Sequence, residues 1–253
     1  MEQINSFIRL CWDKGYSNTI YYGAVVVTVI MQVIFLLYYR KNYGISAKNT
    51  VILVLTVFPI AYFWVCVVTW IANGFTNFGA NNIVRLYVWM PLIVLLVCHY
   101  MKLNAGTVCE FIAPSMALEH AVAHIVCPFS GCCYGYPCSW GVYNPVYQER
   151  LFPVQWLECI VSFVIFLIIK DYARKTGYKK NGKAYPMFLV LYGSTRFFLE
   201  FLRDNDKIVL GISNLALNAL LMTAVGAVWI MFLNERGRKA ELDAAFKKRK
   251  TKH

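Results

Sequence analysis

The sequence predicts an all-α, polytopic membrane protein: a single transmembrane domain of seven helices, N-terminus outside and C-terminus cytoplasmic. Three observations carry this reading. Of 253 residues, 59% are hydrophobic and only 15% charged, whereas soluble domains are about half apolar and about a quarter charged. The apolar residues gather into stretches long enough to cross about 30 Å of hydrocarbon. Lys and Arg collect in alternate connections between those stretches. Seven crossings leave no length for a separate soluble domain.

The predicted spans follow in order. Residues 19–39 and 51–72 are rich in Val, Ile, Leu and Phe and hold no charge. The third, residues 83–101, carries Arg85 near one end, and the fourth, residues 107–129, carries Glu110, Glu119, His120 and His124. The fifth, residues 152–169, contains Glu158; the sixth, residues 185–202, contains Arg196 and Glu200; the seventh, residues 210–233, is uncharged. Polar residues are spread through residues 1–17 and leave no continuous apolar core, so no cleavable signal peptide is expected and the first span is the membrane signal.

Cytoplasmic loops accumulate Lys and Arg, so their placement orients the chain. Arg40, Lys41 and Lys48 follow the first span, Lys102 the third, and Lys170, Arg174, Lys175, Lys179, Lys180 and Lys183 the fifth. The connection after the second span is uncharged, and that after the fourth has one Arg and one Glu. Residues 234–253 form a basic cytoplasmic tail with eight Lys and Arg. The net charge of +12 is thereby assigned to topology and anionic headgroups, and nucleic acid is not an expected partner.

Ionisable residues within hydrocarbon cost roughly 2.5 to 3.5 kcal/mol at mid-membrane on insertion scales and mark functional sites by default. On the sixth span Tyr192, Arg196, Glu200 and Arg203 recur at intervals of four, four and three, one helical face. On the fourth, His120, His124 and Cys127 share a face, with Glu119 one step around. Gln155 and Glu158 on the fifth, and Arg85 on the third, begin at the same outward side. Structural pairing of Glu with Arg is one reading. A guanidinium forked toward a lipid phosphate in the outer leaflet is the favoured one.

These residues resemble a known family. Leu191-Tyr192-Gly193-Ser194-Thr195-Arg196-Phe197-Phe198-Leu199-Glu200-Phe201-Leu202-Arg203 is similar to the Tyr-Gly, Arg-Phe and Glu-Phe-x-Arg signature of bacterial prolipoprotein diacylglyceryl transferases. Phe152-Pro153-Val154-Gln155-Trp156-Leu157-Glu158 resembles the family's His-Pro-Ser-Gln-x-x-Glu, and Tyr21-Tyr22-Gly23 opens the first span as family members do. The family's loop signature, Gly-Arg-x-Gly-Asn-Phe-x-Asn-x-Glu-x-x-Gly, falls on residues 123–135. There His124 stands for the Arg, Cys127 and Ser130 for the two Asn, and Cys132 for the Glu. Gly131-Cys132-Cys133-Tyr134-Gly135 resembles a cysteine-bearing branch of the family. The family's Gly-Gly motif, due near Arg85-Leu86-Tyr87-Val88-Trp89-Met90-Pro91, is absent.

The resemblance implies transfer of the diacylglyceryl group of phosphatidylglycerol to the lipobox cysteine of a secreted lipoprotein precursor, with glycerol phosphate leaving, at the outer leaflet of a bacterial plasma membrane. Its partners are phosphatidylglycerol, membrane lipids and precursor signal peptides, with no cofactor. It assigns Arg196 to the phosphate, with Glu158 and Glu200 orienting it, His124 as cation or base and His120 in reserve. Tyr22, Arg85, Gln155, Tyr192, Arg203, Gly131 and Gly135 complete the expected site. The rivals are a diverged relative acting on another lipid or acceptor, favoured by His124 in place of Arg, and a transporter, disfavoured because the polar residues concentrate outward.

Cys127, Cys132, Cys133 and Cys138 crowd the outward side, where disulfides persist. A disulfide-tied loop, packing cysteines and a reactive Cys132 or Cys133 are open readings. A zinc site using His124 is disfavoured, since the adjacent pair lacks the separated spacing of zinc motifs, and no metal is expected.

Overall fold

The structure, a computed structural model of the chain, describes residues 1–76, 78, 83–179, 181–204, 207–209 and 211–250. Leu210, where the seventh span is predicted to begin, Lys180 of the basic connection and the last three residues of the tail lie outside the described residues, as do the tail side chains of residues 241, 242 and 244–250.

A short helix α1 (Glu2–Asp13) precedes the long helices α2 (Ser17–Tyr39), α3 (Ala47–Ala72), α4 (Ile83–Met101) and α5 (Ala105–Ser130). A hairpin of β1 (Pro137–Asn144) and β2 (Glu149–Leu151) leads to α6 (Val154–Lys175) and α7 (Ala184–Glu200). A second hairpin, β3 (Lys207–Val209) with β4 (Ile212–Ser213), leads to α8 (Asn214–Lys250). A helix therefore stands at each predicted apolar stretch, and the body of the protein is helical, with strands confined to the connections. Five of the helices, α2, α3, α4, α5 and α8, are long and apolar enough to cross a membrane. The other two fall short because α7 has 17 residues and α6 carries Glu158, Lys170 and Asp171 in its first 18.

Local chemistry sets several of these boundaries. Ser46 caps α3 by accepting from the Asn49 amide at 3.1 Å, and Asn104 caps α5 by accepting from the Thr107 amide at 2.9 Å, each satisfying an amide that the first turn leaves unpaired. Gly131 ends α5 at φ 65°, a left-handed conformation that glycine adopts without penalty.

Helix α5 is the centre of the bundle. Its residues from Thr107 to Ala117 are buried on every side, as befits a helix packed against α2, α6 and α7. At the end near the basic connections, Glu110 of α5 accepts from the Ala184 amide at 3.0 Å, tying the N-terminus of α7 to the core. Helices α7 and α8 approach closely at Gly193, where a Cβ would lie 2.9 Å from the Ala219 carbonyl oxygen. Small residues permit such backbone contact between apolar helices.

At the opposite end, β1 and β2 fold over the bundle. Gly135 bridges to Arg203, and its amide donates to the Phe152 carbonyl at 2.9 Å. Helix α1 rests on β1 through buried Asn5, which donates to the Gly141 carbonyl at 3.2 Å and accepts from the Tyr143 amide at 2.9 Å. This hairpin end positions the site.

Candidate active site

Glu158, in the second turn of α6, is 1% exposed and gathers the polar residues of three helices. Its Oε1 accepts from the Tyr192 hydroxyl at 2.9 Å and from His120 Nε2 at 3.0 Å. Its Oε2 faces His124 Nε2 at 3.3 Å, Arg196 Nη1 at 3.5 Å and, closer still, Arg203 Nη2. Arg196 reaches across one helical turn to Glu200 at 3.1 Å. The i, i+4 periodicity of α7 brings Tyr192, Arg196 and Glu200 onto this face. Burying such charges is tolerable only because carboxylates and cations alternate.

The two histidines are bonded differently. His120 Nδ1 lies 3.2 Å from the Tyr87 hydroxyl, while its Nε2 lies 2.6 Å from the Tyr192 hydroxyl as well as facing Glu158. A neutral ring protonated on Nε2, with Nδ1 accepting from Tyr87, satisfies that set. For His124, Nδ1 faces the His120 carbonyl oxygen at 3.0 Å and Nε2 faces Glu158. Both partners are acceptors, the arrangement of an imidazolium.

Beyond the Gly131 cap the chain turns back on α5. Cys133 holds φ at 60°, rare for a residue with a Cβ, and this returns its thiol to Cys127 and His124. Hydrogen bonds from the Cys127 and Cys132 thiols hold the Cys133 thiol well below its usual range, with His124 and the Arg203 guanidinium adding to them against the opposing effect of burial. A side chain at Gly131 would be strained by its φ of 65° and would push on Val146, whose Cγ2 lies 2.6 Å from the Cβ position. At Gly135 a Cβ would lie 2.5 Å from the Leu202 carbonyl oxygen.

A cavity of about 500 Å³ opens beside this network. Its polar end is formed by His124, Cys133, Arg196 and Arg203, and its apolar flank by Val25 and Val29 of α2 and Val84 of α4. Val25 and Val29 are exposed, so the α2 flank of the cavity is not sealed by packing. Arg196 Nη1 is buried and, among the described residues, makes no hydrogen bond, its ion-pair partner Glu158 Oε2 lying 3.5 Å away. An anion with an apolar tail fits this arrangement: the charge meets the cationic side chains of Arg196, Arg203 and His124, and the tail lies against valines.

The structure brings Arg196, His124, His120, Glu158, Glu200, Tyr192 and Arg203 together, with Cys132 and Cys133 on the same cavity. Gln155 stands behind it, donating to the Cys132 carbonyl at 3.3 Å, and Gly131 and Gly135 shape the turn above. Two expected residues lie elsewhere. Tyr22 is 66% exposed and takes no part in the cavity, because one residue along a helix turns the side chain by about 100°; its neighbour Tyr21 lines the cavity instead. Arg85 donates to Thr69 Oγ1 at 3.4 Å and borders a separate recess with Trp89 and Asn218. Tyr87, two residues on, faces inward and does what was expected of that end of α4. An uncharged tyrosine in an apolar run gives little signal; its spacing from Val84 and Met90, buried with it, is the one clue.

A family model for prolipoprotein diacylglyceryl transferase matches residues 52–233. The chain belongs to this family. The matched segment holds nearly all of α3 and then α4 to α7, so every ionisable side chain around Glu158 falls within it. Among curated relatives, the chain is 27% identical over 175 residues to phosphatidylglycerol–prolipoprotein diacylglyceryl transferase 2 of Clostridium perfringens, covering 66% of this chain and 65% of that protein. It is 24% identical over 177 residues to the phosphatidylglycerol–prolipoprotein diacylglyceryl transferase of Dehalococcoides mccartyi, covering 67% and 65%. A Bordetella parapertussis relative of the same name is 31% identical over 121 residues, covering 46% and 45%. The alignment thus spans 65% of the length of each of the first two relatives. Within the prolipoprotein diacylglyceryl transferase family, this member places His124, Cys127, Cys132 and Cys133 around its cavity.

Proposed function

We propose that the chain transfers the diacylglyceryl group of phosphatidylglycerol to the cysteine thiol of a lipoprotein precursor, releasing glycerol phosphate. The observation that carries this reading is the Arg196 guanidinium, ion-paired with Glu158 and Glu200, among the residues that line a cavity with an apolar flank. The donor phosphodiester accepts from the Arg196 guanidinium, and its acyl chains leave along α2. The acceptor sulfur attacks the glyceryl carbon, an S–C bond forms, and the C–O bond breaks with its electron pair passing to the phosphate oxygen. The thiol proton ends, in net, on the released glycerol phosphate. Arg196 stabilises the charge that develops on the leaving phosphate. Arg203 and His124 keep the Glu158 carboxylate paired so that it does not repel the donor, and Tyr192 and His120 fix its other oxygen.

In this reading α2 to α8 supply seven crossings with the N-terminus outside. Glu158 of α6, Arg196 and Glu200 of α7 and Arg203 just beyond it are all buried, whereas Lys170, Asp171, Arg174 and Lys175 gather in the last two turns of α6. Ile160, Phe163, Val164 and Leu167 are exposed on α6 at the spacing of one helical face, a surface suited to hydrocarbon. Arg174, Lys175 and Lys183 flank the end of α6 and start of α7 remote from Glu158 and Arg196, which orients the site toward the outer leaflet of the plasma membrane.

The purified protein, supplied with phosphatidylglycerol and a lipobox peptide, is expected to form a thioether and release glycerol phosphate in equal amounts. Neither product, beside an active family member, would refute the reading. A second reading keeps the donor and changes the acceptor; it is favoured by His124, a weaker phosphate clamp than the arginine it replaces. Glycerol phosphate released without peptide thioether would select it.

A further inference from the structure

We propose that His124, Cys127 and Cys133 form a binding site for one zinc ion. The ligand atoms of these three residues lie within 4.8 Å of one another, close enough for one ion with Zn–S near 2.3 Å and Zn–N near 2.0–2.1 Å to bridge them after small side-chain rotations. The adjacent Cys132-Cys133 pair lacks a zinc motif's spacing, but the motif is assembled in three dimensions. His124 and Cys127 stand one turn apart on the same face of α5, and the left-handed conformations at Gly131 and Cys133 return the third ligand.

The surroundings favour a cation. Glu158 and Glu200 balance Arg196 and Arg203, so a pair of thiolates requires two further positive charges, which a divalent ion supplies. The Nδ1 of His124 is held by the His120 carbonyl oxygen at 3.0 Å, which fixes the ring with Nε2 directed into the cluster. That is the outer-shell bond by which proteins orient a metal-binding imidazole. Zinc binding displaces the Nε2 proton. Two sulfurs and one imidazole nitrogen suit a borderline-soft d10 ion rather than magnesium or calcium. The Cys132 sulfur is engaged by Ser130 Oγ at 3.1 Å and the Cys127 carbonyl at 3.8 Å, and all three ligands line the cavity. Because all three ligands line the cavity, the fourth corner of the metal is assigned to the cavity, as in catalytic zinc sites, with Cys132, whose thiol also reaches Cys133, as the alternative ligand that the test below separates.

The metal site stands on these residues alone. Joined to the transfer reading, on which this further step rests, the open corner receives the acceptor thiol, and a metal-bound thiol is deprotonated outright.

The test uses the full chain in detergent, reduced with a phosphine, loaded with zinc and freed of excess. One zinc per chain is expected, with X-ray absorption showing sulfur and nitrogen donors, and cobalt in its place giving thiolate-to-cobalt charge-transfer absorption. Cys133→Ser should lose the ion, whereas Cys138→Ser, Cys132→Ser and Arg196→Ala should keep it. An all-oxygen coordination shell in the wild type, a Cys127–Cys133 disulfide that takes up no zinc after reduction, or retention by Cys133→Ser overturns the site; loss in Cys132→Ser overturns the three-ligand assignment. These readouts need no turnover. Turnover lost on chelation and restored by zinc supports the thiol-binding step, and turnover indifferent to chelation overturns that step while leaving the metal data as they are.

Discussion

Removing the carboxylate of Glu158 is the perturbation whose cost the structure defines best. Glu158 faces His124 at 3.3 Å, Arg196 at 3.5 Å and Arg203 closer still, at 1% exposure. In Glu158→Ala, Arg196 and Arg203 keep Glu200 as a nearby carboxylate, and His124 loses the one it faces. Breaking a buried ion pair by deleting one partner costs roughly 3–5 kcal/mol, most of it the penalty of the charge left behind. At about 2–4 °C per kcal/mol for a chain of this size, the midpoint of thermal unfolding should fall on the order of 10 °C. Unfolding in detergent is followed by fluorescence of the seven tryptophans. Tyr192→Phe, which deletes hydrogen bonds to the same carboxylate and to His120, sets the scale at about 1 kcal/mol. Adding Arg203→Ala to Glu158→Ala should recover part of the loss, because it removes one unpaired charge. A midpoint in Glu158→Ala no lower than in Tyr192→Phe would refute the view that Glu158 organises the site.

Three further outcomes are expected. Gly193→Ala puts a Cβ 2.9 Å from the Ala219 oxygen and the Thr223 nitrogen, backbone atoms that cannot yield without parting α7 from α8; it should cost roughly 1–3 kcal/mol, whereas Gly23→Ala, facing open space, should leave the unfolding midpoint unchanged or raise it. Gly135→Ala meets the Leu202 carbonyl and should unseat Arg203, lowering turnover about tenfold or more, the cost of roughly 1.4 kcal/mol in the barrier; turnover at the wild-type rate would detach the hairpin from the site. In chelator-treated protein, Cys133 should lose much less of its iodoacetamide reactivity between pH 8 and pH 6 than an ordinary thiol does. Its thiolate form persists because its pKa is lowered, while an ordinary thiol loses about a hundredfold of thiolate over that interval; peptide mass spectrometry reads the ratio, and a hundredfold fall contradicts the assigned ionisation.

The helices were legible because apolar runs of membrane length leave little alternative, and the faces of α5 and α7 because ionisable residues at intervals of three and four can only lie together. Helix α1 was not, since twelve residues with a mixed face give no apolar run, and its seat depends on Asn5 meeting the backbone of a hairpin well over a hundred residues away. The choice of Tyr21 over Tyr22 turned on helix phase, which a boundary known only to a few residues cannot fix. Arg85 was drawn to the site by its charge alone, yet its face of α4 looks toward α3 and Thr69. The cysteine cluster was hidden for another reason: it depends on a left-handed conformation at Cys133, a residue type that does not advertise one.

The most direct measurement is turnover of phosphatidylglycerol and lipobox peptide by Arg196→Ala, with the unfolding midpoint recorded on the same sample. Arg203 still pairs Glu158 in this variant, so the protein should stay folded. Losing the donor that meets the developing phosphate charge should lower the rate by about 10²–10³. A folded Arg196→Ala variant that turns over like the wild type would contradict the account.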